Sequence, residues 1–240
     1  MVLCHGFKSA PHEVEMLANY LNKIGLKIYA VRLKGHGTSP IDQSKCSYED
    51  WYDSLQIGYC ALSMKCEKII IIGFSMGGLL TLLSSSRKLN NSKLIAIISI
   101  NSPLMLNNFA SKFARGFELW NNILEKLDLH KAQLNFVDDQ PENPNINYSR
   151  TYISSIVQLE KLMDECDNNL FKITHPSLIM QADKDPVVNP VSGQNIYNKI
   201  NSTDKFLSVV DFKNHVIIYG LGTQKVFEEI KKFLINLKLL

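Results

Sequence analysis

The chain has 240 residues, 45% hydrophobic and 20% charged, which suits one domain with a substantial core and excludes a disordered chain. Its formal charge of +3 is spread along the chain, and the densest basic set, Lys225, Lys231, Lys232 and Lys238, reads as a solvated helix face, so no nucleic-acid partner is expected. No apolar run approaches the roughly 20 residues that span a bilayer, no charged-then-apolar leader opens the chain, and five cysteines at 4, 46, 60, 66 and 166 lack metal-like spacing. The expectation is a cytoplasmic protein with reduced thiols, no integral membrane association, no metal and no other cofactor.

In chain order, Val2 to Phe7 reads as the end of a buried strand entering a turn at His5-Gly6-Phe7. Glu13 to Ile24 follows as a helix with Val14, Leu17, Ala18 and Leu21 on one face, then a strand from Leu26 to Val31. The glycine-rich loop Arg32 to Pro40 holds His36, and a second helix spans Tyr48 to Met64. An imidazole beside a glycine at a strand edge is more often a hydrogen-bonding brace than a catalytic group, and His5 is read so. His36 is read as structural or gating.

The most informative stretch comes next. Lys68 to Ile72 is a β-branched strand that runs into Gly73-Phe74-Ser75-Met76-Gly77-Gly78 and then into the apolar helical Leu79-Leu80-Thr81-Leu82-Leu83. Strand, Gly-x-Ser-x-Gly and helix in that order form a nucleophile elbow, with the serine on a turn too tight for side chains at the flanking glycines. Ser75 is thereby displayed as a nucleophile, and the following helix aims its N-terminus at the place where an oxyanion forms. Two backbone donors are needed there, one from Met76 and one from the turn after the early strand, where Phe7 is the candidate.

Lys93 to Ile100 is a buried strand, and a long insertion follows at about 104–175. Its first helix places Phe109, Phe113, Phe117 and Trp120 at helical spacing, an apolar stripe read either as core or, for Phe109, Phe113 and Phe117, as the lining of an acyl pocket. Asp138 to Asn145 reads as a mobile polar surface turn, and Ser149 to Cys166 as a helix that closes a small cap.

A buried strand, Pro176 to Ala182, leads into Asp183-Lys184-Asp185-Pro186-Val187-Val188, and another, Lys205 to Val210, into Asp211-Phe212-Lys213-Asn214-His215 and a terminal helix. A nucleophile elbow calls for an acid and then a base later in the chain. Of the six histidines only His215 follows both the serine and an acid of this kind. Asp185 is preferred over Asp183 and Asp211 because Pro186 restricts it to an extended backbone and stiffens the loop that holds its carboxylate. Strands alternating with helices predict a doubly wound, mostly parallel sheet covered on both faces.

Together, His5-Gly6-Phe7, Gly35-His36-Gly37, the elbow, Asp185-Pro186-Val187-Val188 and His215 resemble the landmarks of the α/β-hydrolase superfamily, nearest to its bacterial carboxylesterase and monoacylglycerol-lipase-like branch. The resemblance implies that Ser75, Asp185 and His215 match the triad positions and Phe7 and Met76 the oxyanion-hole positions. Asn214 stands where that branch usually has glycine before the histidine. The resemblance also implies further strands ahead of the His-Gly strand, and the expectation is that these N-terminal strands are missing. One domain, 1–240, with a cap inserted at about 104–175, hydrolysing a small ester with an acyl chain through an acyl-serine, is the resulting expectation. Thioester, amide or acyl-transfer chemistry would use the same groups, and a non-catalytic interaction domain is the alternative of another class.

Overall fold

The computed structural model describes residues 1–87, 93–107, 116–121 and 134–240. Six strands form one parallel sheet: β1 (Val2–Cys4), β2 (Tyr29–Val31), β3 (Ile69–Phe74), β4 (Leu94–Ile100), β7 (Ser177–Ala182) and β8 (Lys205–Val210), in the order β2-β1-β3-β4-β7-β8. The short strands β5 (Phe136–Asp138) and β6 (Arg150–Tyr152) pair antiparallel in a separate ribbon. The helices are α1 (Glu15–Lys23), α2 (Pro40–Ser44), α3 (Tyr48–Ser63), α4 (Met76–Ser86), α5 (Ile153–Asn169), α6 (Val191–Lys199) and α7 (Gln224–Asn236), and residues 116–121 are also helical. None of the helices among the described residues is long and apolar enough to cross a membrane.

The period of two along β3 explains the layering. Ile69 and Ile71 enter one core cluster with Trp51 and Leu55 of α3, Leu79 and Leu83 of α4, and Leu162 of α5. Ile70, Ile72 and Phe74 enter the other, with Leu17 and Leu21 of α1 and Phe227, Ile230 and Leu234 of α7. A continuous apolar run is what a parallel strand needs when both of its faces are covered. Every residue of α4 is buried, because the sheet lies on one side of it and α3 and α5 pack on others. Its polar side chains therefore turn inward on their own helix, with Thr81 Oγ1 donating to the Gly77 carbonyl at 2.9 Å and Ser84 Oγ to that of Leu80 at 2.8 Å.

Four expected boundaries differ. The helix read from Ser149 to Cys166 spans Ile153–Asn169, because Arg150–Tyr152 pair with Phe136–Asp138 as β6. The strand read from Leu26 is laddered only over Tyr29–Val31, since its partner β1 offers just the three residues Val2–Cys4. Glu13 lies in a 3-10 turn, Pro11–Val14, ahead of α1 rather than within it. The polar turn from Asp138 starts at the end of β5, and its Glu142 bonds to the loop that carries His215.

The sheet order reverses between β1 and β3: the chain passes from β1 to β2 on one side and then continues with β3 on the other. At such a switch point the loops leaving the C-terminal ends of the two strands diverge and open a crevice. The turn at Phe7 leaves β1 there and Ser75 leaves β3. The loops after β7 and β8, with Asp185 and His215, come from the same edge of the sheet.

Candidate active site

Ser75 has φ 53° and ψ −121°, outside the usual regions for an L-residue, and its amide donates to the carbonyl of Ile100 at 2.8 Å. The glycines around it make the strain tolerable. A Cβ on Gly73 would collide with the carbonyl of Gly77, and one on Gly77 with the carbonyl of Cys4 in β1. The elbow is thus wedged between β1 and its own helix, and Ser75 Oγ donates to His215 Nε2 at 2.9 Å.

His215 Nδ1 donates in turn to Asp185 Oδ2 at 2.7 Å. The other carboxylate oxygen, Oδ1, accepts from the amides of Val187 and Val188 at 2.8 and 2.9 Å, and the Asp185 side chain is fully buried. Both oxygens are occupied, so the acid cannot swing away from the imidazole. Asn107 Nδ2 donates to the Asp185 carbonyl at 2.9 Å, and the Phe74 ring lies 5.0 Å from that of His215. Asp183 does not reach the histidine: its Oδ1 accepts from the Phe212 amide at 3.2 Å, while Asp211 pairs with Lys184 at 2.7 Å.

On the facing side, His5 takes the bracing position expected of it. Its Nδ1 donates to the Gly6 carbonyl at 2.8 Å, and its Nε2 accepts from the Leu33 amide at 3.3 Å. The Gly6 carbonyl and the Phe7 N–H belong to one trans peptide plane and point in opposite directions. Holding the carbonyl therefore aims the Phe7 amide away from His5. The Met76 amide opens α4, where geometry leaves a helix's first N–H groups without an intrahelical acceptor. Burial pushes His5 down to about 4, which keeps it in the neutral form that can donate at one nitrogen and accept at the other. His36, its rings 5.3 Å from His5, is also fully buried: it donates from Nδ1 to the Lys34 carbonyl at 3.1 Å and faces Gln43 Nε2 at 2.9 Å. Burial, and then its neighbour His5, push it to about 3.

Two site neighbours lie outside the sequence motifs. Glu13 is buried beneath the turn and accepts the Gly6 amide at 2.7 Å; burial drives its carboxyl above the usual range, against the pull of that amide. Asn101, just past β4 at φ 46°, donates from Nδ2 to the His215 carbonyl at 2.7 Å and accepts the Ala182 amide at 2.8 Å, stitching the base loop to the end of β7. An asparagine after an apolar strand tolerates this left-handed backbone, the one hint the sequence offers. Of the aromatic stripe, Phe109 and Phe113 lie outside the described residues, and Phe117 and Trp120 are partly exposed on residues 116–121. Among the described residues no group of His, Cys, Asp and Glu is arranged to hold a metal ion.

A doubly wound parallel sheet with a serine, a histidine and an aspartate in hydrogen-bonded series at its switch point defines a serine hydrolase of the α/β-hydrolase class. The chain belongs to the serine aminopeptidase S33 family (Hydrolase_4), whose model matches residues 1–220, and it is a serine hydrolase enzyme. It is 30% identical over 236 residues to a thermostable monoacylglycerol lipase of Bacillus sp. strain H-257, covering 97% of this chain and 89% of the relative. To a carboxylesterase of Bacillus subtilis it is 26% identical over 236 residues, covering 98% and 91%. Its fold matches one of the metagenome-derived lipolytic enzymes LipS and LipT with a TM-score of 0.84 at 23% identity, over 98% of this chain and 92% of that one.

Proposed function

We propose that the enzyme hydrolyses carboxylic esters bearing an apolar acyl chain, of the kind that monoacylglycerol lipases and carboxylesterases cleave, through an acyl-serine intermediate. The observation that carries this reading is the series Ser75, His215, Asp185 at 2.9 and 2.7 Å. His215 Nε2 takes the Ser75 proton as Oγ attacks the ester carbonyl carbon, and Asp185 steadies the resulting imidazolium through Nδ1. The carbonyl oxygen becomes an oxyanion held by the amides of Phe7 and Met76. Collapse breaks the ester C–O bond, the departing alcohol takes the proton from Nε2, and the acyl group stays on Ser75. Water, deprotonated by His215, then attacks the acyl-serine; the acid leaves and Ser75 recovers its proton.

In the same reading residues 104–175 serve as a cap over the site, with α5 anchoring it to α4, and Phe109, Phe113 and Phe117 are assigned to the acyl chain. The nearness of two lipid-ester and carboxylester hydrolases among its relatives supports an ester over an amide.

The test is covalent labelling with a fluorophosphonate together with turnover of p-nitrophenyl acyl esters. Wild-type enzyme should label and turn over, and folded Ser75→Ala should lose both, by about a thousandfold or more in turnover. A wild-type chain that neither labels nor turns over overturns the reading, as does an alanine variant that retains activity.

A further inference from the structure

We propose that residues 139–148 form a strap that sets the catalytic geometry, with Glu142 the positioning residue for His215. The proposal rests on the triad reading above. His215 stands in the loop 211–223 between β8 and α7, outside any helix or strand, so its backbone depends on partners from elsewhere in the fold. Its carbonyl is held by Asn101. Its amide donates to Glu142 Oε1 at 2.9 Å and the next amide, of Val216, to Glu142 Oε2 at 3.0 Å. Two successive amides converging on one carboxylate make a small anion-binding nest, and here the chain fills the nest with its own anion. With carbonyl, amide and Nδ1 all engaged, the direction of the His215 side chain is fixed from three sides.

The rest of the strap is fastened to the loops on the opposite side of the crevice. Lys8, the neighbour of Phe7, places Nζ 2.8 and 2.6 Å from the two oxygens of Asp139, and its carbonyl accepts the Tyr148 amide at 3.0 Å. Tyr148 Oη accepts from the Thr38 amide at 2.7 Å and donates to the Gly35 carbonyl at 3.2 Å. Internal bonds stiffen the span: the amides of Ile146 and Asn147 donate to the Asn143 carbonyl at 3.1 and 2.9 Å, and that of Asp139 to the Ser149 carbonyl at 2.8 Å. The strap thereby joins the loop that carries the oxyanion amide to the loop that carries the base. Both must address one substrate carbonyl, so their separation matters to turnover.

Magnitude separates this role from a stabilising one. Glu142 and Asp139 stand at the solvent surface, where a substitution usually changes stability little. A misplacement of the base by about 1 Å costs far more in rate. Removing the clamp should therefore appear in kcat and leave the melting temperature nearly untouched.

The experiment compares wild type, Glu142→Gln, Asp139→Asn and the double variant in kcat and KM on a p-nitrophenyl ester, in fluorophosphonate labelling rate, and in Tm. Glutamine keeps the shape but offers one acceptor oxygen, so one of the two amides loses its partner. Expected are a fall of about tenfold in kcat and labelling for Glu142→Gln with KM and Tm unchanged, a smaller fall for Asp139→Asn, and a double variant no worse than Glu142→Gln alone, since both act through one strap. If wild type labels and Glu142→Gln matches it in both rates, the positioning role is overturned while the hydrolase reading stands. A loss of rate that tracks a loss of Tm makes Glu142 merely structural and overturns it too. Independent, multiplying losses overturn the single strap, and a wild type that does not label overturns both the reading and the proposal.

Discussion

Two carboxylates two residues apart meet different fates at the end of β7. Asp183 accepts one amide and lies beside Lys184 at the surface, whereas Asp185 is buried with both oxygens engaged, one of them by His215. Asp185→Asn keeps the shape but presents an amide N–H2 where His215 Nδ1 needs an acceptor, which favours the wrong tautomer. Turnover should fall by about three to four orders of magnitude in Asp185→Asn and change little in Asp183→Asn. Steady-state kcat for the two variants checks this, and the reverse ranking would transfer the role of the acid to Asp183.

Among the elements, the junction of β3 and α4 has the least freedom. The carbonyls of Gly77 and Cys4 close on positions where any Cβ would sit, so β1, β3 and α4 meet with backbone against backbone. Gly77→Ala pushes the first turn of α4 from β1, moving Met76 and Phe7 apart as well as costing stability. Unfolding in urea should show a loss on the order of 4 kcal/mol or more, or no folded protein at all, because overpacking here falls on backbone that cannot rotate aside. A variant as stable as wild type would mean that the elbow is looser than its geometry indicates. The contrast with β2 is instructive: its outer residues were readable as a strand, yet its ladder is only as long as the partner beside it.

For the molecule as a whole, the buried histidine pair links the site to acid stability. His5 and His36 have folded values of about 4 and about 3, below the ordinary 6.5 of an unfolded chain. The unfolded state therefore takes up their protons first, and stability present above about pH 6.5 is lost as pH falls toward those folded values. Each contributes a slope of up to about 1.4 kcal/mol per pH unit in that window. Glu13 works in the opposite sense, since a raised carboxyl is protonated first in the folded state. Urea unfolding at intervals from pH 7 to 4.5 should show the decline, and His36→Gln should flatten it; an unchanged slope in that variant would remove His36 from the account.

What the sequence determined by itself is whatever local spacing encodes. Ile69 to Gly78 specifies a strand, a turn and a helix within ten residues, the period of two along β3 assigns each side chain to a face, and the order serine, acid, base follows from which loops leave late strands. The proline after Asp185 is a local cue as well, since it restricts the backbone of the proposed acid. Tertiary structure alone decided which loops share the crevice, because a parallel sheet brings together strand ends that lie tens of residues apart in sequence. Glu13 under the Gly6 amide, Asn101 on the His215 carbonyl and Glu142 on the His215 amide have no local signature: each is a polar side chain whose partner is a backbone group 7, 114 or 73 residues away. Backbone amides and carbonyls are the same at every position, so a chain read in one dimension gives no sign of which of them a distant side chain will find.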